Sequence, residues 1–282
     1  MKRKAAARKT AMAVMDRPRM VRPPMERMVS FAEMLRMTDP KIRRIIKIPI
    51  HWFPIVYDRK DQAALNDIER ERFLCAYQTL IGNGTLGQFV KIHGEVHYHH
   101  GTQRFLPWHR VYLLLLEQQL KSVHPDVSIP YWDWTKATEQ GFPTWLASTT
   151  PTVPMPAPMS PVSVTRSPGT SADLATITSS APTVMALGDF PTFTGSLEGI
   201  HNGVHVWVGG TMGFIATAPA DPIFWMHHAN IDRLWAQWQQ GHAGLNPNLP
   251  GPPSSASSPV MDPWSYTEPD TRSITAMGYD YV

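Results

Sequence analysis

The amino-acid sequence predicts a mainly α-helical protein with long irregular loops, and three observations lead to this prediction. Apolar residues recur at helical spacing in several segments of the 282-residue chain. The stretch 147–195, by contrast, is rich in Pro, Ser and Thr and carries few charges, which is typical of irregular structure. The chain contains no run of eighteen or more apolar residues, so no membrane-spanning helix is expected.

Four helices are predicted in the first half of the chain, where apolar residues fall on one face of each segment. The first lies near 26–37 and the second covers 61–81. Residues 82–87, Gly-Asn-Gly-Thr-Leu-Gly, predict a turn, and the third helix follows it and ends near His93. Pro107 suits the first turn of the fourth helix, where its missing N–H costs no hydrogen bond.

Two predicted helices carry a histidine inside an apolar stripe that faces the core. The stripe after Pro107 consists of His109, Leu113, Leu116 and Leu120. The stripe of a later helix consists of Phe224, His228, Ile231, Trp235 and Trp238. His227 lies about 100° around that helix, so His228 is the better metal ligand and His227 is expected to support it. Asp232 and Arg233, just beyond, indicate an ion pair or a hydrogen-bond anchor.

The charges predict a basic tail ahead of one domain. The net charge is +3, but residues 1–22 carry eight basic residues and one acidic residue, which leaves about −4 for the rest. We expect a mobile tail over 1–22 and a single domain over 23–282, with 147–195 as a long surface excursion between its two halves. Because the basic charge lies in the tail, the composition gives no support for nucleic-acid binding.

The tail and the cysteine content bear on the compartment. No apolar segment of a secretory signal follows the basic start, so we expect a cytoplasmic protein. The single cysteine, Cys75, fits a reducing compartment and is expected to be a core thiol.

Two segments far apart in the sequence supply histidines in threes or more. His201 and His205 are four residues apart, so on a helix they point the same way and can join His228 on one ion. The earlier segment offers His109 together with several neighbours, and spacing alone does not decide which of them are ligands: His93, His97, His99 and His100. Neutral imidazoles in threes suit copper, zinc, iron or nickel, and two sets indicate a two-metal centre.

Glu198 and Asn202 lie four residues apart on the predicted helix that carries His201. A carboxylate and an amide side by side can hold and polarise one water molecule, which would make a general base next to a metal. The alternative is an exposed helix pair or an N-terminal cap.

These residues together resemble the tyrosinase family of type-3 copper proteins, over about residues 60–282. His100-x4-Phe105-Leu106-Pro107-Trp108-His109-Arg110, continuing to Leu113 and Glu117, is similar to the family's first copper signature. Asp221-Pro222-x-Phe224-Trp225-x-x-His228-x3-Asp232 is similar to the second signature. His201-Asn202-x-x-His205-x-Trp207-Val208-Gly209-Gly210 resembles the first half of the second copper site, and Tyr279-x-Tyr281 resembles the end of the core domain.

The resemblance implies a four-helix bundle that holds two copper ions. It also implies an enzyme that uses O2 as co-substrate. It implies hydroxylation of monophenols to catechols and oxidation of catechols to o-quinones, with melanin precursors, plant phenolics and secondary metabolites all open as substrates. By motif, copper A is held by His93, His100 and His109. By motif, copper B is held by His201, His205 and His228.

The resemblance also suggests roles for other cavity residues. Glu198 and Asn202 fall where the family holds the water that deprotonates a monophenol, which favours a tyrosinase over a catechol oxidase. Phe224 falls where an aromatic ring packs against a copper-B histidine, and Ile215 falls near the mouth of the site, so both are expected near the substrate.

Some alternatives stay open at this point. The gap between His93 and His100 is shorter than in many family members, so His97 or His99 is a possible substitute for either. A catechol or o-aminophenol oxidase without monophenol activity is the main alternative function. A haemocyanin-like oxygen carrier shares the metal site, and a dinuclear zinc hydrolase would be expected to use carboxylate ligands. The sequence leaves room for a copper-delivery partner protein, and it fixes no oligomeric state.

Overall fold

A computed structural model describes residues 56–282 of the chain, and these residues are mainly helical. The predicted tail over 1–22 and the predicted helix near 26–37 lie outside the described residues. The seven α-helices of the described part are α1 (Asp67–Gly82), α2 (Thr85–Glu95), α3 (Phe105–Val123), α4 (Ser171–Thr178), α5 (Ala181–Met185), α6 (Phe190–Val208) and α7 (Pro222–Gly241). None of these helices is long and apolar enough to cross a membrane.

Sheet structure is limited to two small pairs in the described residues. Strand β1 (Tyr57–Arg59) runs parallel to β4 (Tyr279–Tyr281), so the two ends of the described chain meet. Strand β2 (Thr152–Val153) pairs antiparallel with β3 (Val162–Ser163). The prediction of a mainly helical fold with long loops is confirmed.

Helices α2, α3, α6 and α7 form the four-helix bundle, and they carry the histidines. The predicted apolar stripe of α3 is buried, with Leu113, Leu116 and Leu120 removed from solvent. The predicted stripe of α7 is also buried, including Ile231, Trp235 and Trp238. Through the burial of such continuous stripes on facing helices, the hydrophobic effect stabilises the bundle.

Side-chain caps fix where the bundle helices begin. Asp189 accepts a hydrogen bond from the N–H of Thr192 at the start of α6, and Asp221 accepts one from Ile223 at the start of α7. Each cap satisfies a backbone donor that the helix itself leaves unpaired. Arg166 adds two hydrogen bonds to the Asp221 carboxylate, so the excursion is tied to the bundle at this point.

The predicted helix over 61–81 begins later than expected, at Asp67. Asp61 instead caps a short 3-10 turn at Gln62–Ala64 and pairs with Tyr131 in an isolated bridge. Asn66 then forms a capping box with Glu69, and this box sets the true start of α1.

The predicted turn over 82–87 is shorter than expected, because α2 already begins at Thr85. Gly84, with φ of 79°, makes the turn in the left-handed region. Gly87 lies inside the helix, where a Cβ atom would meet the carbonyl oxygen of Pro154 at 2.1 Å. That glycine therefore marks a close backbone approach and not a loop.

The expectation of an irregular excursion over 147–195 is wrong in part. The segment contains the β2–β3 pair, α4, α5 and the first turn of α6. A capping box between Thr170 and Asp173 starts α4, and buried Leu174 fixes that helix to the body. A strong local cap and one buried leucine outweigh the low helical propensity of a Ser- and Thr-rich segment.

One further expectation is corrected and another is made specific. Cys75 is exposed on α1 and is not a core thiol, because the apolar face of that helix turns Phe73 and Tyr77 inward instead. Asp232 and Arg233 are hydrogen-bond anchors, which is one of the two predicted roles, and they pair with separate partners because adjacent helix residues point in different directions. Arg233 reaches Asp133 at 3.0 Å, while Asp232 enters a separate buried group.

That group, the ionic cluster, consists of Arg59, Arg110, Glu117 and Asp232, all buried. The Arg59 Nε lies 2.8 Å from Glu117, and the Arg110 Nε lies 2.5 Å from Asp232. Arg59 also reaches Asp232 at 3.3 Å. The cluster therefore joins β1, α3 and α7 at one end of the bundle.

Candidate metal centre

The first histidine cluster gathers four rings. Their ligand atoms all lie within 4.8 Å of one another, and the members are His93, His99, His100 and His109. His93 comes from the last turn of α2 and His109 from the first turns of α3. His99 and His100 come from the 3-10 turn between these helices. His97 is exposed and lies outside the cluster.

The second histidine cluster consists of His201, His205 and His228. The Nε2 atoms of His201 and His205, one turn apart on α6, are separated by 2.9 Å. The His228 Nε2 on α7 lies 3.0 Å from that of His201 and 3.3 Å from that of His205. Three ring nitrogens therefore converge on one point from two helices.

The opposite ring nitrogen, Nδ1, is tied to the protein in most of these residues. It donates to a backbone carbonyl in five rings: His93 to Ile215 at 2.7 Å, His99 to Val96, His100 to His97 at 3.2 Å, His109 to Phe105 at 2.8 Å and His205 to Met212 at 2.8 Å. In the second cluster, His201 donates to Asn202 Oδ1 at 3.1 Å. Since a carbonyl can only accept, the proton is on Nδ1 and the Nε2 lone pair is free to bind a metal.

Burial keeps these imidazoles uncharged. Removal from water lowers the pKa of His93, His109, His201 and His228 well below the ordinary value. The same cause lowers the pKa of His100 and of His205 to about 4. At neutral pH the rings are therefore neutral donors, which is the form that binds metal.

The two clusters are neighbours. The rings of His109 and His228 stack with centroids 4.3 Å apart and planes 21° apart. The ring of Phe105 lies 4.8 Å from both His109 and His201, so it closes one side of both clusters. Two ions held by these clusters would share the space between the helices.

The residues fit copper. Both clusters consist of imidazoles alone, with no carboxylate or thiolate among the ligand candidates of the described chain. Calcium, magnesium and manganese prefer oxygen ligands, whereas imidazole suits copper in both of its common oxidation states. With Nδ1 protonated, the Nε2 atoms of His201 and His205 both present lone pairs to the same point, and one bound cation accepts both.

A cavity of about 620 Å³ opens onto the clusters. It is lined by His93, His100, Gly101, Gly195, Glu198, Gly199, His201, Asn202, His205, Val206, Met212, Gly213, Ile215 and Ala218. Members of both clusters face it, so a small molecule in this space would contact both metal sites.

Glu198 and Asn202 both line this cavity, as their four-residue spacing on α6 requires. Glu198 is buried, and its Oε1 accepts a hydrogen bond from the Gly101 N–H at 2.7 Å. Burial raises the pKa of Glu198 to about 7, against the opposing effect of the Gly101 hydrogen bond. Asn202 is exposed to the cavity and holds the His201 ring through its Oδ1.

The two predicted substrate residues lie in different places. Ile215 lines the cavity and is 46% exposed. Phe224 is fully buried, with its ring 4.1 Å from that of His228. Phe224 therefore packs behind the second cluster and is not among the residues that line the cavity.

His227 supports the second cluster, as its position next to His228 predicts. Its Nδ1 accepts a hydrogen bond from the indole N–H of Trp134 at 3.0 Å, and its ring stacks on His201 at 4.9 Å. The anchoring groups that sequence reasoning missed are backbone atoms: the carbonyls of Met212 and Ile215 and the N–H of Gly101. No sequence signal could have found them, because every residue carries these atoms.

Comparisons with known proteins agree with this geometry. Residues 83–167 and 159–241 match the family model for the common central domain of tyrosinase. The chain is 34% identical over 258 residues to the tyrosinase of Streptomyces glaucescens, and the match covers 75% of this chain and 93% of that protein.

Two solved structures share the fold. A functional unit of octopus hemocyanin superposes with a TM-score of 0.67 and 24% identity, covering 80% of this chain and 68% of that one. The tyrosinase of Burkholderia thailandensis superposes with a TM-score of 0.67 and 19% identity, covering 80% and 73% of the two chains.

Proposed function

This chain belongs to the tyrosinase family of copper oxidoreductases, and on that premise we propose that it converts both monophenols and catechols to o-quinones with dioxygen. Two copper ions are its cofactors. For a monophenol, one molecule of dioxygen yields one o-quinone and one water. For catechols, one dioxygen oxidises two molecules and yields two waters.

The ligand assignment follows the two clusters. His93, His100 and His109 would hold one copper ion, and His201, His205 and His228 would hold the other. When bound, copper supplies the one-electron redox couple that links oxidation of the phenol to reduction of dioxygen. The Nδ1 hydrogen bonds described above orient five of these six rings, all except His228.

The observation that carries monophenol activity is a buried carboxylate in the same cavity as both clusters. One oxygen of Glu198 is anchored by Gly101, and the other makes no hydrogen bond within residues 56–282. Burial raises the pKa of this carboxyl to about 7, so the ionised form is a better proton acceptor than an exposed carboxylate. Glu198 would take the phenolic proton, and Asn202 would orient the water that relays it.

Oxygen uptake with L-tyrosine and L-DOPA as parallel substrates tests this proposal. Glu198→Gln removes the proton acceptor but keeps the shape, so the monophenol rate should fall about 100-fold or more while the catechol rate changes far less. Asn202→Ala should show the same asymmetry with a smaller loss. Glu95→Gln is the matched control, because Glu95 is exposed on α2 and pairs only with Lys91.

Copper content per chain is measured in the same samples. A rate that falls because copper is lost can then be distinguished from a rate that falls because the proton acceptor is lost. Equal loss of both rates at full copper content would contradict the role of Glu198. Uptake with L-DOPA alone in the unmodified protein would indicate a catechol or o-aminophenol oxidase. Steady turnover of either substrate, abolished by a chelator, excludes an oxygen carrier of the hemocyanin type.

A further inference from the structure

The first histidine cluster holds one ring more than the second. Building on the proposed copper assignment, we propose that His99 is a fourth ligand of the first copper site, which keeps the ion bound with His93 and His109 when His100 is released. The second cluster has no such reserve among the described residues.

His99 meets each structural condition that the other rings of this cluster meet. Its Nδ1 donates to the Val96 carbonyl, three residues back, just as the Nδ1 of His100 donates to the His97 carbonyl. Both rings therefore carry the free lone pair on Nε2. The His99 Nε2 is buried and has no hydrogen-bond partner, although its ring lies only 4.8 Å from that of His109.

An unpartnered acceptor in the protein interior is unfavourable unless something occupies it. No donor of the described chain reaches this nitrogen, and a ring nitrogen of His99 lies within 4.8 Å of one from each other histidine of the cluster. A cation bound by the cluster would supply the missing partner. The unpartnered Nε2 of His99 is therefore better explained by a metal-ligand role than by a purely structural role of the ring.

His99 and His100 differ in how they are held. The His99 ring stacks on Trp108 with centroids 3.8 Å and planes 9° apart, and the Trp108 indole N–H is fixed to the Asp262 carbonyl at 2.6 Å. His100 is half-buried and lines the cavity, whereas His99 does not. The ring on the cavity side can move as a substrate or a copper ion enters, while the stacked ring stays in place.

Copper binding by the full-length protein tests the proposal without reference to activity. The variants are His100→Ala, His99→Phe, which keeps the stack on Trp108 but has no nitrogen, and the double variant. His97→Ala is the matched control, since it removes an exposed histidine from the same turn. Copper per chain is measured after gel filtration, and Cu(I) affinity by competition with a chromogenic chelator.

We expect two copper ions per chain in the unmodified protein, in His97→Ala and in His100→Ala, and one in the double variant. We expect His99→Phe to bind its weaker copper at least tenfold less tightly than the unmodified protein. The proposal is overturned if His100→Ala binds one copper, or if His99→Phe competes as the unmodified protein does. Failure of the unmodified protein and of His97→Ala to bind two coppers would instead overturn the copper assignment itself.

Discussion

The same two helices, α3 and α7, carry two buried polar regions of opposite character. His109 belongs to the first histidine cluster and the next residue, Arg110, belongs to the ionic cluster. On α7, His228 and Asp232 are one turn apart and divide in the same way. One region consists of neutral rings with converging lone pairs, and the other consists of full charges in contact with their counter-ions.

In the ionic cluster every charge is balanced by a counter-ion from the protein itself, although the Arg59 Nη2 has no hydrogen-bond partner. Burial by itself raises the pKa of Asp232, but Arg110, Arg59 and two tyrosine hydroxyls outweigh it and hold the pKa below its ordinary value. Tyr279 and Tyr281 donate to the Asp232 Oδ2 at 2.6 and 2.7 Å. Each buried charge therefore has partners, which is the condition under which buried charges are tolerated.

The histidine clusters are complete only with an ion. Their Nδ1 atoms are mostly bound to carbonyls, and their Nε2 atoms face one another at distances of 2.9 to 3.4 Å. The difference teaches that the ionic cluster pairs its charges within the protein, whereas the histidine clusters turn ring nitrogens toward a space that an ion can fill. Three experiments probe this contrast.

The largest effect is expected from acid on the metal-free protein. Desolvation lowers the pKa values of eight histidines: His93, His99, His100, His109, His201, His205, His227 and His228. The unfolded chain binds protons on these rings near pH 6.5 and the folded chain does not, so stability is full above about pH 6.5 and falls as the pH falls toward 4. Each ring contributes up to about 1.4 kcal/mol per pH unit.

Urea unfolding of metal-free protein at pH 7.5, 6.5 and 5.5 measures this effect. The midpoint should decrease steeply below pH 6.5, while Asp232 stays ionised throughout and the ionic cluster does not change. A midpoint that is constant over this range would show that the rings are not desolvated, and the contrast between the two regions would not hold.

The next largest effect is expected from Asp232→Ala, which leaves two buried guanidinium groups short of a counter-ion. Breaking a buried ion pair on one side costs about 3–5 kcal/mol, measured as the free energy of unfolding in urea. Asp126→Ala is the control, since Asp126 is exposed and pairs with Arg72 on the surface. A loss as small as that of the control would mean that solvent reaches the ionic cluster.

The smallest effect is expected from Tyr281→Phe. The variant loses one hydrogen bond donated to Asp232 and one accepted from Arg59 at 2.9 Å, a cost of about 1–2 kcal/mol. Combining it with Tyr279→Phe should cost more than the two single changes added, because Asp232 Oδ2 then keeps only Arg59. If the stability losses of the two single variants, measured by thermal unfolding, simply add up to that of the double variant, the two tyrosines do not belong to one shared network.

Periodicity predicted the helices that bear His109 and His228, because a long apolar stripe has few alternative structures, and the four-residue spacing of His201 and His205 indicated theirs. It did not predict the start of α1 or the presence of α4, since those depend on caps of one or two residues. The pairing of Arg59 with Asp232 spans 173 positions in the sequence, and nothing local marks it. Spacing alone left His93, His97, His99 and His100 open and the family motif selected His93 and His100, whereas the exposure of His97 and the stacking of His99 on Trp108 are visible only in the structure.

The loop between α6 and α7 has a consequence for how the two metal sites communicate. The Met212 carbonyl holds the ring of His205, and the Ile215 carbonyl holds the ring of His93. One short piece of backbone at the cavity mouth therefore steers a ligand in each cluster. Displacement of this loop by an entering molecule would therefore reorient one candidate ligand in each cluster at the same time.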